Sequence, residues 1–312
     1  MAQLRVFDKD EVHELLDYET LIQRLRDGFR EPLTVPLRHH HHLPHSGNQG
    51  SLILMPCWDL EGFGVKLLSL MPDNTAKGLP SIQGMYLLFD GKTGTPVAAA
   101  DAAALTQRRT AAASALAASY LARQYSETLL MVGAGALAPH LIMAHRAVRP
   151  IQKVFLFNRT QRRAFALADQ LSGQGFEIEV VDNLKSGVEE ADIISCATAS
   201  DQPLVKGRWV QPGTHLDLVG GFTRDMREVD DEAMAISRIF VDTREGALSE
   251  AGDLIQPLER GAILEDQIEG ELSDLVRMAG QVRQNPQEIT LFKSVGTALE
   301  DLVAARLLVE LG

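Results

Sequence analysis

From Leu129 onward the chain alternates short apolar or β-branched runs with helix-length spacers, and that rhythm leaves few folds open to it. The runs lie at 129–132, 154–157, 178–181, 193–196, 215–219 and 239–241. Parallel strands covered by helices on both faces read as unbroken apolar stretches, so six such runs predict a doubly wound α/β sheet of Rossmann type. The first 120 residues lack this rhythm. A helix around Leu21, Leu25 and Phe29 leads into a Pro- and His-rich loop, then into extended segments at 50–55, 64–69 and 85–89, the last closed by the turn Asp90-Gly91-Lys92. That pattern predicts an antiparallel α+β domain. An Ala-rich helix at 109–123 serves as the connector. At the far end, Leu299, Val303, Leu307 and Leu311 recur at steps of four, giving a helical stripe that must be covered and that we expect to return to the first domain. The expected division is 1–120 with 296–312 for the α+β domain and 121–295 for the Rossmann domain.

A length of 312 residues accommodates two cores, and a charge balance of 30 basic against 42 acidic side chains disfavours nucleic acid or an anionic membrane as partner. No apolar run reaches the roughly 20 residues of a membrane span, and no signal-peptide pattern is evident, so a soluble cytoplasmic protein is expected. Cys57 and Cys196 stand far apart, outside any CxxC pair, and read as reduced, buried thiols.

The first of the six runs leads into Gly133-Ala134-Gly135-Ala136-Leu137-Ala138, a GxGxxA string at a strand-to-helix junction. Gly133 permits the tight turn, Gly135 lets backbone approach a pyrophosphate, and Ala138 allows close helix–strand packing. At the end of the second run an NAD site usually places an acid, which bonds the ribose diol and repels a 2′-phosphate. Here stand Asn158, Arg159 and Thr160, with Arg163 one turn on, all able to donate to that phosphate. NADP(H) is therefore the expected cofactor, with NAD(H) also accommodated. Thr198, after the fourth run, is placed either to touch ribose or to cap a turn.

Taken together, Gly64-Val65-Lys66, the run Arg108-Arg109-Thr110-Ala111-Ala112-Ala113-Ser114, the glycine loop, Asn158-Arg159-Thr160, Val219-Gly220-Gly221 and Phe292-Lys293-Ser294-Val295-Gly296 resemble the ornithine cyclodeaminase/mu-crystallin family over nearly the whole chain. The resemblance implies a homodimer, an N-terminal substrate-binding and dimerisation domain, and NAD(P)-linked chemistry at the α-carbon of an amino acid or its cyclic imine. It also implies that Lys66, Arg109 and Arg38 hold the substrate carboxylate, and that Thr110 and Ser294 belong with the cofactor residues. The trio suits the task, since an arginine can grip a carboxylate with two parallel hydrogen bonds while a lysine on an apolar strand handles a proton.

One departure bears on the reaction. The family's cyclodeaminases carry an aspartate directly after the paired glycines, where this chain has Phe222, which cannot exchange a proton; Asp225 lies three residues on. The Gly-Gly-Phe-Thr-x-x-Met-Arg-Glu string resembles the branch that reduces Δ1-pyrroline-2-carboxylate to L-proline and Δ1-piperideine-2-carboxylate to L-pipecolate, with Phe222 as an apolar wall beside the ring. Three other readings stand beside this one: ornithine cyclodeaminase, alanine dehydrogenase of archaeal type, and a non-catalytic small-ligand binder of mu-crystallin type. The cluster His39, His40, His41, His42 and His45 has no Cys or carboxylate partner at metal-like spacing, so no metal is expected; one of these histidines lines the pocket, and the sequence does not say which.

Overall fold

A computed structural model describes residues 4–43, 50–278 and 282–312. His45 lies outside these. The N-terminal part runs β1 (Arg5–Phe7), α1 (Lys9–Leu15), α2 (Tyr18–Gly28), β2 (His39–His42), β3 (Ser51–Trp58), β4 (Gly62–Leu70), β5 (Ile82–Asp90), β6 (Pro96–Asp101) and α3 (Ala102–Leu121). There follow β7 (Thr128–Val132), α4 (Ala138–Val148), β8 (Lys153–Phe157), α5 (Gln161–Gln170), β9 (Glu177–Val180), α6 (Leu184–Glu190), β10 (Ile193–Cys196) and β11 (His215–Leu218). The chain ends with α7 (Asp231–Ala235), β12 (Arg238–Val241), α8 (Arg244–Glu250), α9 (Gly252–Glu259), β13 (Ile268–Glu271), α10 (Leu272–Arg277), β14 (Thr290–Lys293) and α11 (Ala298–Leu311). It divides into a unit of Met1–Thr110 with Thr297–Gly312 and a unit of Ala111–Gly296, so the division falls within α3 rather than after residue 120.

The first unit is built on a six-stranded sheet in the order β1-β6-β5-β4-β3-β2. The sequence foresaw β3, β4 and β5 but not the other three strands, and the sheet is mixed rather than antiparallel, because β1 joins β6 in parallel. β2 is His39–His42, expected as loop; it has no apolar residue and pairs with β3 only along an edge, so backbone hydrogen bonding makes it a strand where hydropathy is silent. Along β4 the pleat buries Gly64 and Lys66 and turns Phe63 and Leu67 outward. α11, capped by the Thr297 side chain, packs against α2 and strands β3 to β6. The single apolar stripe expected of it is an underestimate: almost every residue from Ala298 to Leu308 is buried, including Glu300 and Asp301.

The second unit is an all-parallel sheet in the order β13-β12-β14-β11-β10-β7-β8-β9. It has eight strands, not six. β13 (Ile-Glu-Gly-Glu) is a polar edge, and β14 is four residues ending in a buried lysine, so neither shows the apolar run that marks its neighbours. The chain turns back at β7, which has β8 on one side and β10 on the other; in such sheets ligands bind beyond the carboxyl ends of the strands at that point. α4 is tied to the sheet by His145, whose Nε2 lies 3.1 Å from Asp217 Oδ2, and the same oxygen accepts from Ser195 Oγ at 2.7 Å. Among the described residues no helix is long and apolar enough to cross a membrane.

Candidate functional site

At the carboxyl end of β7, Gly133 has φ +109°, and a Cβ there would meet the Ala197 carbonyl oxygen at 2.6 Å, so only glycine fits. Gly135 differs: a Cβ built on it meets nothing within 4 Å. The loop Gly133, Ala134, Gly135, Ala136, Leu137 thus leaves an open hollow in front of α4, whose first turn has no side-chain cap. Ala138 is fully buried against the sheet. Open space over a glycine, facing uncapped helical N–H groups, is what a dinucleotide pyrophosphate requires, so these residues fit such a cofactor.

Asn158 braces this loop, its Oδ1 accepting from Ala134 N at 3.1 Å and its Nδ2 donating to Thr160 O at 2.9 Å. That is a different employment from the phosphate donation expected of it. Arg159, Thr160 and Arg163 are exposed beyond the end of β8. Thr198 is tied to Glu228: its N–H and Oγ1 both donate to Glu228 Oε1, at 2.7 and 2.9 Å. Ser294 and Thr110 are buried.

The Gly220-Gly221 turn is held from beneath. Lys293 Nζ donates to the Gly220 carbonyl and to Asp253 Oδ2, while Asp253 Oδ1 accepts the Glu228 N–H at 2.8 Å. Burial pushes the Glu228 carboxyl above its ordinary range. The turn sets Phe222 outward, 45% exposed, and leaves Asp225 exposed as well. Glu228, Asp253 and Lys293 were not anticipated. Their signal was weak: Glu228 is one of several charges between Arg224 and Glu232, and Asp253 and Lys293 are single charges beside apolar runs, and the sequence alone marks none of them as buried.

In the N-terminal unit, Lys66 and Arg109 come together, 1% and 4% exposed. Lys66 Nζ donates to Asp301 Oδ1 at 3.0 Å, lies 2.9 Å from Oδ2, and reaches Thr106 Oγ1 at 3.3 Å. Arg109 Nε donates to the same Asp301 Oδ1 at 3.0 Å, and its guanidinium also pairs with Glu300. Burial, and then the Arg109 charge, depress the Lys66 ammonium to about 8, with Asp301 opposing them. Burial works against the Arg109 charge too, but Asp301 and Glu300 outweigh it and raise its pKa. Arg38 precedes β2 directly; extending the β2–β3 register by one residue sets it opposite Met55, in the cross-strand row that continues through Lys66 to Tyr86. Its charge contributes to the depression of Lys66. The same register puts His40 and His42 on the Lys66 face of the sheet, and His39 and His41 on the other. Among the described residues no group of three or more His, Cys, Asp or Glu side chains is placed to hold a metal.

The profile of the ornithine cyclodeaminase/mu-crystallin family matches residues 4–311. The chain belongs to that family. A Δ1-pyrroline-2-carboxylate reductase of Colwellia psychrerythraea is 38% identical, with 98% of this chain and 99% of that protein covered. The Thermococcus litoralis Δ1-pyrroline-2-carboxylate reductase, solved with NADH and L-proline, superposes with a TM-score of 0.92 at 37% identity over 98% of this chain and 97% of that one. An archaeal alanine dehydrogenase dimer with bound NAD gives 0.91 at 26% identity, covering 98% and 95%.

Proposed function

We propose that this protein is an NAD(P)H-dependent reductase of cyclic ketimines, converting Δ1-pyrroline-2-carboxylate to L-proline and Δ1-piperideine-2-carboxylate to L-pipecolate. The observation that carries the reading is the Gly220-Gly221-Phe222 turn, which presents an aromatic ring where a cyclodeaminase needs a carboxylate, with Asp225 turned to solvent. The Colwellia psychrerythraea and Thermococcus litoralis proteins named above are Δ1-pyrroline-2-carboxylate reductases, which supports the reading.

The bound cofactor would supply hydride to C2 of the imine. Gly133 to Leu137 and the first turn of α4 would hold its pyrophosphate. Arg159, Thr160 and Arg163 would receive a 2′-phosphate, and no acid at 158 repels one, so NADPH should be preferred with NADH still used. Arg109, Arg38 and Lys66 would clamp the substrate carboxylate, fixing which face of C2 is presented; such orientation is the larger part of what an already electrophilic iminium needs. Lys66, charged below about pH 8, would hold or deliver the proton on the imine nitrogen. Phe222 would pack against the ring.

The deciding assay follows nicotinamide absorbance with Δ1-pyrroline-2-carboxylate and either NADPH or NADH, beside L-ornithine with NAD scored for ammonia. Consumption of reduced cofactor without ammonia from ornithine is expected. Ammonia without net cofactor change would make it a cyclodeaminase, and cofactor binding without turnover would make it a binder.

The homodimer belongs to the same reading. On the outer face of the sheet, Trp58 pairs with Phe63 and Leu67 with Met85, all about two-fifths exposed, and the Phe63 and Phe89 rings stack at 4.7 Å. A contiguous apolar face of this kind is rare on a monomer, and the archaeal alanine dehydrogenase is a dimer. Light scattering should give twice 34.2 kDa for the wild type, and Leu67→Asp should give the single mass; a monomeric wild type would refute the dimer. Reduced, buried Cys57 and Cys196 accord with a cytoplasmic setting.

A further inference from the structure

Glu300 and Asp301 occupy the first turn of α11, and both side chains are fully buried. Two carboxylates withdrawn from water need compensation, and a well-packed apolar cluster would serve the fold at least as well, so a buried ionic group points to a use other than stability. Its geometry is specific. Asp301 Oδ1 lies 3.0 Å from both Lys66 Nζ and Arg109 Nε, and Glu300 takes the remaining side of the guanidinium. One carboxylate therefore fixes the spacing of two cations that stand on different elements, β4 and α3.

We propose that Asp301 is a positioning residue for the reaction, keeping Lys66 protonated and aimed alongside Arg109, with Glu300 locking the arginine end of the same array. The inference rests on the reading of Lys66 and Arg109 as the substrate-carboxylate anchor.

The electrostatic surroundings of Lys66 support this. From α3 it faces Arg109 and the Thr106 hydroxyl; from α11, Asp301 with Glu300 beside it; from the segment before β2, Arg38; and its neighbour in β5 is Tyr86. Tyr86 is neutral, its phenol raised well above the ordinary value by burial and then by Asp301. Cys57, buried on β3 with its thiol raised to about 12 by burial, is neutral as well. Arg306, from α11, pairs with Asp59. The charged groups of the array are thus three cations, Arg38, Lys66 and Arg109, and two acids, Glu300 and Asp301, leaving one positive charge for one carboxylate. Asp301 is the group that opposes the depression of Lys66 by burial and by the two arginines. Remove its charge and the ammonium must titrate lower, while Lys66 and Arg109 lose their common tether.

The test compares wild type, Asp301→Asn, Asp301→Glu and Glu300→Gln in the full-length enzyme. It measures kcat and KM for the imine from pH 6 to 10, the Kd for NADPH by fluorescence titration, and the melting temperature. In Asp301→Asn the alkaline limb of kcat/KM should move at least one pH unit toward acid and KM should rise tenfold or more, while the NADPH Kd stays within twofold. Asp301→Glu, which keeps the charge, should restore the position of the limb. Glu300→Gln leaves the Lys66 contact in place and should shift the limb the same way by less; it also decides the matter if Asp301→Asn does not fold. A limb that stays where it is in every folded variant, with only the melting temperature changed, would overturn the proposal. A wild type inert toward the imine would instead overturn the functional reading on which it rests.

Discussion

Lys66→Met should lower kcat/KM for Δ1-pyrroline-2-carboxylate by about three orders of magnitude or more and leave the NADPH Kd within twofold. Two losses combine. General acid–base assistance is worth roughly 10²- to 10⁴-fold, and a hydrogen bond from a cation to the substrate carboxylate adds about 1.5–3 kcal/mol. Methionine is close in volume and unbranched, so it fills the space beneath the sheet; the charge vacated beside Asp301 is still partly met by Arg109 at 3.0 Å. The glycine loop and the residues after β8 that we assign to the cofactor lie in the other unit, which is why NADPH binding should survive. The wild-type pH profile checks the same assignment. A lysine whose pKa is depressed to about 8 is fully charged below that value and loses its charge as pH rises through it, so kcat/KM should fall above about pH 8. An ordinary surface lysine would hold its charge for two more units or so. Turnover within tenfold of wild type in Lys66→Met, measured by NADPH oxidation, would remove this residue from the mechanism.

What could be read in the sequence follows from which forces leave a mark on composition. The Rossmann core was legible because its central strands, buried on both faces, have to be apolar, and because the turn after the first of them needs a glycine at 133, where no side chain fits. β2, a run of four histidines, and β13, with two glutamates, owe their existence to backbone pairing at sheet edges, and hydropathy does not register that. The cations we propose as the anchor were singled out through family resemblance. Their partners were not: Glu300 and Asp301 sit at the start of a helix, where acids are common simply because they suit the helix dipole, so nothing marked them as buried. The same holds for Glu228, one charge among several in its segment, and for Lys293, which follows an apolar run; the partner of each arrives from a distant part of the chain. Phe222, to which we assign the choice of reaction, stood out only as a departure from a pattern, since an exposed phenylalanine in a loop has no chemistry of its own to announce.

The glycine loop offers a cleaner separation of binding from folding than any other part of the molecule. Gly135→Val should raise the Kd for NADPH at least a hundredfold, and abolish turnover at ordinary cofactor concentrations, with a melting temperature close to wild type. The reason is local. Gly135 is not in the left-handed region, and its added Cβ would meet nothing within 4 Å, so the folded chain accepts a side chain there without strain or collision. The volume the valine fills is the open space in which we place the pyrophosphate, beside the backbone it would approach. Gly133→Ala should behave in the opposite sense. At φ +109° with a carbonyl oxygen 2.6 Å from the new Cβ, it must distort β7 or its neighbour β10, costing stability of order 1–3 kcal/mol before any ligand is considered. Fluorescence titration with NADPH and thermal melting of the two variants therefore form a crossed pair. If Gly135→Val bound NADPH like wild type, the hollow in front of α4 would not be the cofactor site, whatever the loop resembles. If it lost binding only in proportion to a fall in melting temperature, the glycine would be serving the fold, and the assignment of the pyrophosphate to this loop would lose its structural support.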